Sequence, residues 1–185
     1  MKIKQSIILA LAFIMVILVA GCKKAEEPAE AAAQEFQWQI DQFADLRIMR
    51  YQVPGYEELP LAQKKLIYYL NEAALCGRDI ITDQNYKHNL IIRRTLDAIV
   101  EGYKGDRTDP QWENFMVYTK RVWFSNGIHH HYSTDKFTPD FTADYFTTLV
   151  KESENVEFPL AKEQSLDDLI DFLQPIIFDP AVDAK

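Results

Sequence analysis

Residues 85–105 read NYKHNLIIRRTLDAIVEGYKG. Ile92, Leu96, Ile99 and Tyr103 recur at the three- and four-residue spacing that lines one face of an α-helix, while Arg93, Arg94 and Asp97 fall off that stripe. A helix with one buried face is therefore expected, ending near Gly102 or Gly105. Downstream, Asp109 offers a cap and Pro110 a first helical position, so QWENFMVYTKRVWF predicts a further helix that buries Phe115, Tyr118 and Val122. Asn126-Gly127 should stop it. Pro139 and Thr142 precede a helix over ADYFTTLVKES, and Ser165 with Asp168 three residues on makes a capping-box start for LDDLIDFLQ, which Pro175 is expected to end. Upstream, LPLAQKKLIYYLNEAALCGRDII carries apolar residues at Leu59, Leu66, Leu70, Ala73, Ala74 and Ile80 or Ile81. This predicts one long amphipathic helix, with Thr82 and Asp83 capping the helix that follows. Residues 34–53 mix the helical spacing of Phe36, Ile40 and Phe43 with near-alternation at Leu46, Ile48, Tyr51 and Val53, predicting a short helix that leads into an extended piece. Pro54-Gly55 turns the chain. The result is a mainly α fold with short connections and no run of strands.

The first twenty-one residues stand apart. MKIKQ followed by SIILALAFIMVILVAG has the basic start and apolar run of an export signal, too short for a comfortable membrane span. It ends in Leu18-Val19-Ala20-Gly21-Cys22, which resembles a bacterial lipobox, so Cys22 is expected to carry a diacylglycerol and anchor the chain in a membrane. Lys23 beside it lacks the acidic residue of inner-membrane retention, making the outer membrane, on its periplasmic or outer side, the expected location. Three segments follow: signal peptide 1–21, flexible tether 22–35, and one domain over 36–185. Cleavage removes Lys2 and Lys4 and no acid, leaving 18 basic against 28 acidic residues, a net charge of −10 instead of −8. Nucleic acid, whose phosphates need clustered Lys and Arg, is excluded as a partner. With Cys22 blocked, Cys76 has no partner for a disulfide, and its alanine and leucine neighbours predict a buried, inert thiol.

Chemistry concentrates in WFSNGIHHHYSTDKF, residues 123–137, which holds three of the four histidines. Consecutive side chains diverge by about 100° on a helix or alternate faces on a strand, so His129, His130 and His131 cannot all close on one ion. The plain reading has one imidazole in the core and the others solvated. Asn126, His131, Tyr132, Ser133 and Asp135, set after a helix end, could instead line a polar groove that holds a peptide backbone. Trp38, Trp112 and Trp123 are expected in the core. No phosphate loop, nucleophile elbow or His-Glu-x-x-His run occurs.

Several long stretches, FADLRIMRYQVPGYEEL, LIYYLNEAALCGRDIITDQNYKHNLIIRRTLDAI, GDRTDPQWENFMVYTKRVWFSNGIHHHYSTDKFTPDF and FLQPIIFDPAVDAK, resemble the N-terminal region of bacterial dipeptidyl peptidase III. The resemblance covers essentially everything after the tether. It implies the helical N-terminal part of a two-lobed α+β zinc metallopeptidase that releases dipeptides from the N-termini of short peptides. In that family a His-Glu-x-x-Gly-His helix and a further glutamate hold zinc, which polarises the scissile carbonyl and activates water. None of those residues is present here, so the chain is expected to bind no zinc, to carry no catalytic residue, and to be an inactive N-terminal fragment that depends on the missing C-terminal portion. The family's segment after Ser-Asn-Gly contributes to the cleft wall opposite the zinc. That role transfers to Asn126, His131 and Tyr132 as substrate-cleft candidates; Ser125, Asn126, Tyr132, Lys136 and Phe137 follow the family's pattern, whereas the histidines depart from it. The alternative is a non-catalytic, membrane-anchored lipoprotein that binds peptides or a partner protein.

Overall fold

The computed structural model describes residues 36–184. The export signal, Cys22 and the tether lie outside the described residues. The chain divides into two compact units, Met1–Trp38 and Gln39–Lys185. Of the first, only residues 36–38 are described, where the Phe36 and Trp38 rings meet edge to face with centroids 4.6 Å apart.

The second unit is mainly helical. It runs β1 (Gln39–Phe43), β2 (Leu46–Met49), a single 3₁₀ turn (Tyr56–Glu58), then α1 (Leu61–Leu75), α2 (Arg78–Asn85), α3 (Asn89–Gly102), α4 (Pro110–Ser125), α5 (Ala143–Lys151) and α6 (Leu166–Phe178). Helices α3 to α6 hold the core. Along α3 the expected stripe is buried at Ile92, Leu96 and Ile99, with Tyr103 just past the helix end. From α4 come Phe115, Tyr118 and Val122, from α5 Phe146 and Leu149, and from α6 Leu169, Leu173 and Ile177. Helix α3 packs on both α4 and α5, and α5 packs on α6. Three of the predicted caps form. Asp109 accepts from the Gln111 amide ahead of Pro110, Thr142 accepts from the Tyr145 amide, and Ser165 and Asp168 close a reciprocal capping box.

Five expectations are corrected. No helix starts the domain: residues 39–49 form an antiparallel hairpin, with Phe43 opposite Leu46 across a two-residue turn in which Ala44 takes φ 48°. Ile40 is the extra residue of a bulge between the Gln39–Met49 and Asp41–Ile48 pairs. What holds the hairpin is remote in sequence. Asp41 pairs with Lys120 at 2.6 Å and Asp45 with Arg121 at 2.8 Å, both on α4, and the Lys120 ammonium also sits over the Phe43 ring. The Lys120 hydrogen bond holds the Asp41 carboxyl below its ordinary range. The long upstream helix is two helices, broken at Cys76-Gly77, so Thr82 lies inside α2 and caps nothing. Its buried hydroxyl donates to the Arg78 carbonyl and accepts from Arg93. Pro175 does not end α6, which continues to Phe178 because Ile176 and Ile177 bury their side chains in the core. Finally, Cys76 is exposed. The reason is α1 itself, which buries no residue; Leu66, Tyr69 and Leu70 are about six-tenths or more exposed. Of the three tryptophans expected in the core only Trp112 is buried; Trp123 is partly buried and Trp38 is half exposed. Among the described residues no helix is long and apolar enough to cross a membrane.

Candidate functional site

The candidate site begins where α4 stops. Asn126 adopts the left-handed conformation, φ 52° and ψ 41°, that asparagine tolerates better than other residues with a Cβ, and the Gly127 amide donates back to the Val122 carbonyl at 3.0 Å. Gly127 has φ 152°, and a Cβ there would sit 2.0 Å from the Asn89 carboxamide nitrogen. That contact identifies the organising residue. Asn89, the first residue of α3 and 1 % exposed, donates through Nδ2 to the Asn126 carbonyl at 3.2 Å and accepts through Oδ1 from the Ile128 amide at 3.1 Å. Asn85 Nδ2 adds a second bond to the Asn126 carbonyl at 3.3 Å. One buried carboxamide thus fixes both strands of the turn, and Ile128 beyond it is driven fully into the core.

From Ile128 the chain folds back on itself. The Phe137 amide donates to Ile128, the His130 amide to Asp135 and the Thr134 amide to His130, with Thr134 at φ 65°. The three histidines separate within this loop. His129 turns inward and is buried, its Nε2 3.0 Å from the Asp183 carbonyl and its ring edge-on to Tyr86. His130 Nδ1 accepts from both the Tyr132 and Ser133 amides at 3.2 Å, so the neutral ring carries its proton on Nε2. His131 stacks on His130 with centroids 4.5 Å apart, meets Phe124 at its edge, and has Nδ1 3.4 Å from Ser125 Oγ. Tyr132 touches the His131 ring and is 87 % exposed.

These groups line a groove of about 410 Å³ bounded by Asn85, Asn89, Phe124, Asn126, His131 and Tyr132, among others. The three substrate-cleft candidates, Asn126, His131 and Tyr132, therefore share one concavity. They offer different chemistry to it. The Asn126 carbonyl is already engaged by two asparagines; His131 and Tyr132 present an aromatic corner, their rings tilted 48° to each other, either of which can stack on a planar amide or ring. Asn85 and Asn89 are site residues that sequence reasoning missed, because their partners lie 37 to 41 residues away and nothing local marks them.

The loop is sewn to the end of α6. Lys136 Nζ donates to the Asp179 carbonyl at 2.6 Å and the Val182 carbonyl at 2.9 Å, satisfying groups at a helix C-terminus, and Tyr86 donates to the Asp183 carboxylate. Burial pulls the Lys136 ammonium down from its ordinary pKa, with Asp179 and Asp183 opposing. The Tyr86 hydrogen bond, aided by the charges of Lys87, His88 and Lys136, holds the Asp183 carboxyl below the usual range. Burial, then the Lys87 charge, lowers the pKa of His88, whose ring abuts Tyr86 and Phe172.

The described residues of this loop are not arranged to hold a zinc ion. His129 is spent on Asp183, His130 Nδ1 on two backbone amides, and among the described residues no three His, Cys, Asp or Glu side chains converge. A second cavity of about 490 Å³, between Leu75, Arg78, Asp79, Arg93, Asp97 and Trp123, is internally neutralised. Arg93 and Arg94 both bind Asp79 and hold its carboxyl low, and the Trp123 indole donates to Asp97 at 2.7 Å. No family model matches the chain, and no curated protein matches it.

Proposed function

We propose that residues 36–185 form the non-catalytic cleft wall of a two-lobed zinc exopeptidase of the dipeptidyl peptidase III type, exported and anchored at the outer membrane through a lipid on Cys22. In this reading the groove beside Asn126, His131 and Tyr132 receives the backbone and a side chain of a short peptide. Zinc, the general base and the attacking water belong to a C-terminal portion, because the His-Glu-x-x-Gly-His run is absent from the sequence. The supporting observation is the convergence of those three residues on one polar, aromatic groove that a buried asparagine holds rigid. Rigidity suits binding, since a wall that need not be ordered on association loses less affinity to entropy.

The experiment has two arms. Tri- and tetrapeptides titrated into the chain should shift backbone amide resonances of residues 126–134, and Tyr132→Ala should abolish the shifts. The same preparation, supplied with zinc or cobalt, should release no arylamine from a dipeptidyl arylamide. Metal-dependent turnover would overturn the non-catalytic assignment, and an unresponsive groove would overturn its role as a peptide wall. A second reading, a self-sufficient peptide- or protein-binding lipoprotein, is favoured by the exposed apolar helix α1; binding of peptides at high affinity with no C-terminal portion present would select it.

A further inference from the structure

Helix α1 carries ten apolar residues in fifteen and buries none of them. At 100° per residue Ala62, Leu66, Tyr69 and Ala73 fall on one stripe with the four-three-four spacing of a coiled-coil seam, and Leu70 lies beside it. This side of the helix is open, with Leu66 59 %, Tyr69 67 % and Leu70 60 % exposed. On the other side Lys64 is tied to the Glu57 carbonyl and carboxylate, and Leu75 lines the cavity beside α2 and α3. A seam of this kind facing water is an unfinished packing surface.

The charges beside the seam say what finishes it. Lys65 immediately precedes Leu66 and Glu72 immediately precedes Ala73, so both stand on the same flank, one heptad apart and opposite in sign. Among the described residues neither has an ion-pair partner. We propose that α1 docks antiparallel against α1 of a second copy of this chain. A two-fold axis between residues 67 and 68 sets Leu66 against the partner's Tyr69 and Ala62 against the partner's Ala73, pairing large with large and small with small along the seam. The same register brings Lys65 to the partner's Glu72, and symmetry makes the pair twice. A parallel pair would bring Lys65 to Leu70 instead and form no ion pair, so the charge pattern selects the antiparallel arrangement. With large side chains contributing ~100–150 Å² each, the seam supplies on the order of 500 Å² per copy, below the ~800 Å² of a standard interface, which points to a weak, reversible association in the micromolar range or above.

Among the described residues every buried side chain lies between residues 43 and 177, so the chain from Lys23 onward keeps that core and serves for the test. Sedimentation equilibrium between about 1 µM and about 500 µM, a range that spans such weak association, should show a monomer–dimer transition. Lys65→Glu should raise the dissociation constant roughly 5- to 10-fold by setting like charges together twice, and Lys65→Glu with Glu72→Lys should return it to within about twofold of the unmodified chain. Leu66→Glu should leave only monomer. All three positions are exposed, and an unchanged circular dichroism spectrum checks each variant. A chain that stays monomeric throughout, a dimer indifferent to Lys65→Glu, or a double variant that fails to recover overturns the proposal. So does sedimentation with phosphatidylethanolamine–phosphatidylglycerol vesicles through Leu66 in the absence of any dimer, which would assign the face to a membrane surface.

Discussion

Replacing Asn89 by alanine isolates the residue on which the groove depends. The carboxamide is almost wholly buried and makes two bonds, one to the Asn126 carbonyl and one from the Ile128 amide. Asn126 keeps its bond from Asn85, so its loss is that of one ordinary hydrogen bond, about 1 kcal/mol. The Ile128 amide has no such substitute and would be left buried and unpaired, which costs about 1–3 kcal/mol. Together these set a destabilisation of about 2–4 kcal/mol, and at ~2–4 °C per kcal/mol for a domain of this size the melting temperature should fall by roughly 4–16 °C. Gly127→Ala should be destabilising for a different reason, since its Cβ would occupy the place of the Asn89 carboxamide at a backbone angle that favours glycine. The two changes are coupled. With Asn89 already truncated the steric part of the Gly127→Ala penalty disappears, so the double variant should lose less stability than the two single losses added together. Urea unfolding followed by circular dichroism measures all three differences. Asn89→Ala within about 0.5 kcal/mol of the unmodified chain, or strict additivity in the cycle, would refute the account of Asn89 as the pin of the turn.

Other consequences are as direct. Phe115→Ala, at a fully buried position of α4, should cost about 3–5 kcal/mol, whereas Leu66→Ala on α1 should change monomer stability by less than about 0.5 kcal/mol, both read from urea midpoints at low protein concentration. Tyr132→Ala, 87 % exposed, should likewise leave the unfolding midpoint within about 0.5 kcal/mol while removing the peptide-induced shifts. Because burial lowers the pKa of folded His88, the unfolded chain takes up that proton first, near the ordinary value of 6.5. Stability from this residue is therefore present above that pH and lost as pH falls through it; His88→Phe should flatten the urea midpoint between pH 7.5 and 5.5 relative to the unmodified chain. Asp183 acts in a lower window, with its contribution present above the ordinary carboxylate pKa and lost only as pH drops below about 4.

The legible part of the fold is the part written in local code. Asp109-Pro110, Thr142 and the Ser165–Asp168 pair announce helix starts by chemistry confined to four residues, and Asn126-Gly127 announces a stop in the same way. The stripe at Ile92, Leu96 and Ile99 is equally self-contained. What failed to read from the sequence depends on partners far along the chain. Phe36, Ile40 and Phe43 keep helical spacing, yet the hairpin forms because Asp41 and Asp45 find Lys120 and Arg121 nearly eighty residues later. The seam of α1 reads as a core face, and only the packed structure reveals that α3 to α6 fill the core without it. Pro175 shows the opposite conflict, a local stop signal overridden by the burial of Ile176 and Ile177. In the candidate site, Asn126, His131 and Tyr132 were visible as a dense polar stretch after a helix end. Asn89 was not, since a lone asparagine at the head of an apolar helix gives no hint of a bond to residue 128.

The ties from Lys136, His129 and Tyr86 to residues 179–183 carry a kinetic corollary. The histidine loop and the tail behind α6 share their hydrogen bonds, so neither can open without uncovering the other, and they form a single cooperative opening unit. Native-state hydrogen exchange should accordingly give the amides of His130 and Phe137 the same opening free energy as those of Asp179 and Val182, although some fifty residues of chain lie between them. The groove's lifetime in its closed form is then set by how firmly the last turn of α6 is held, and whatever draws residues 179–183 away from Lys136 would loosen Tyr132 in the same event.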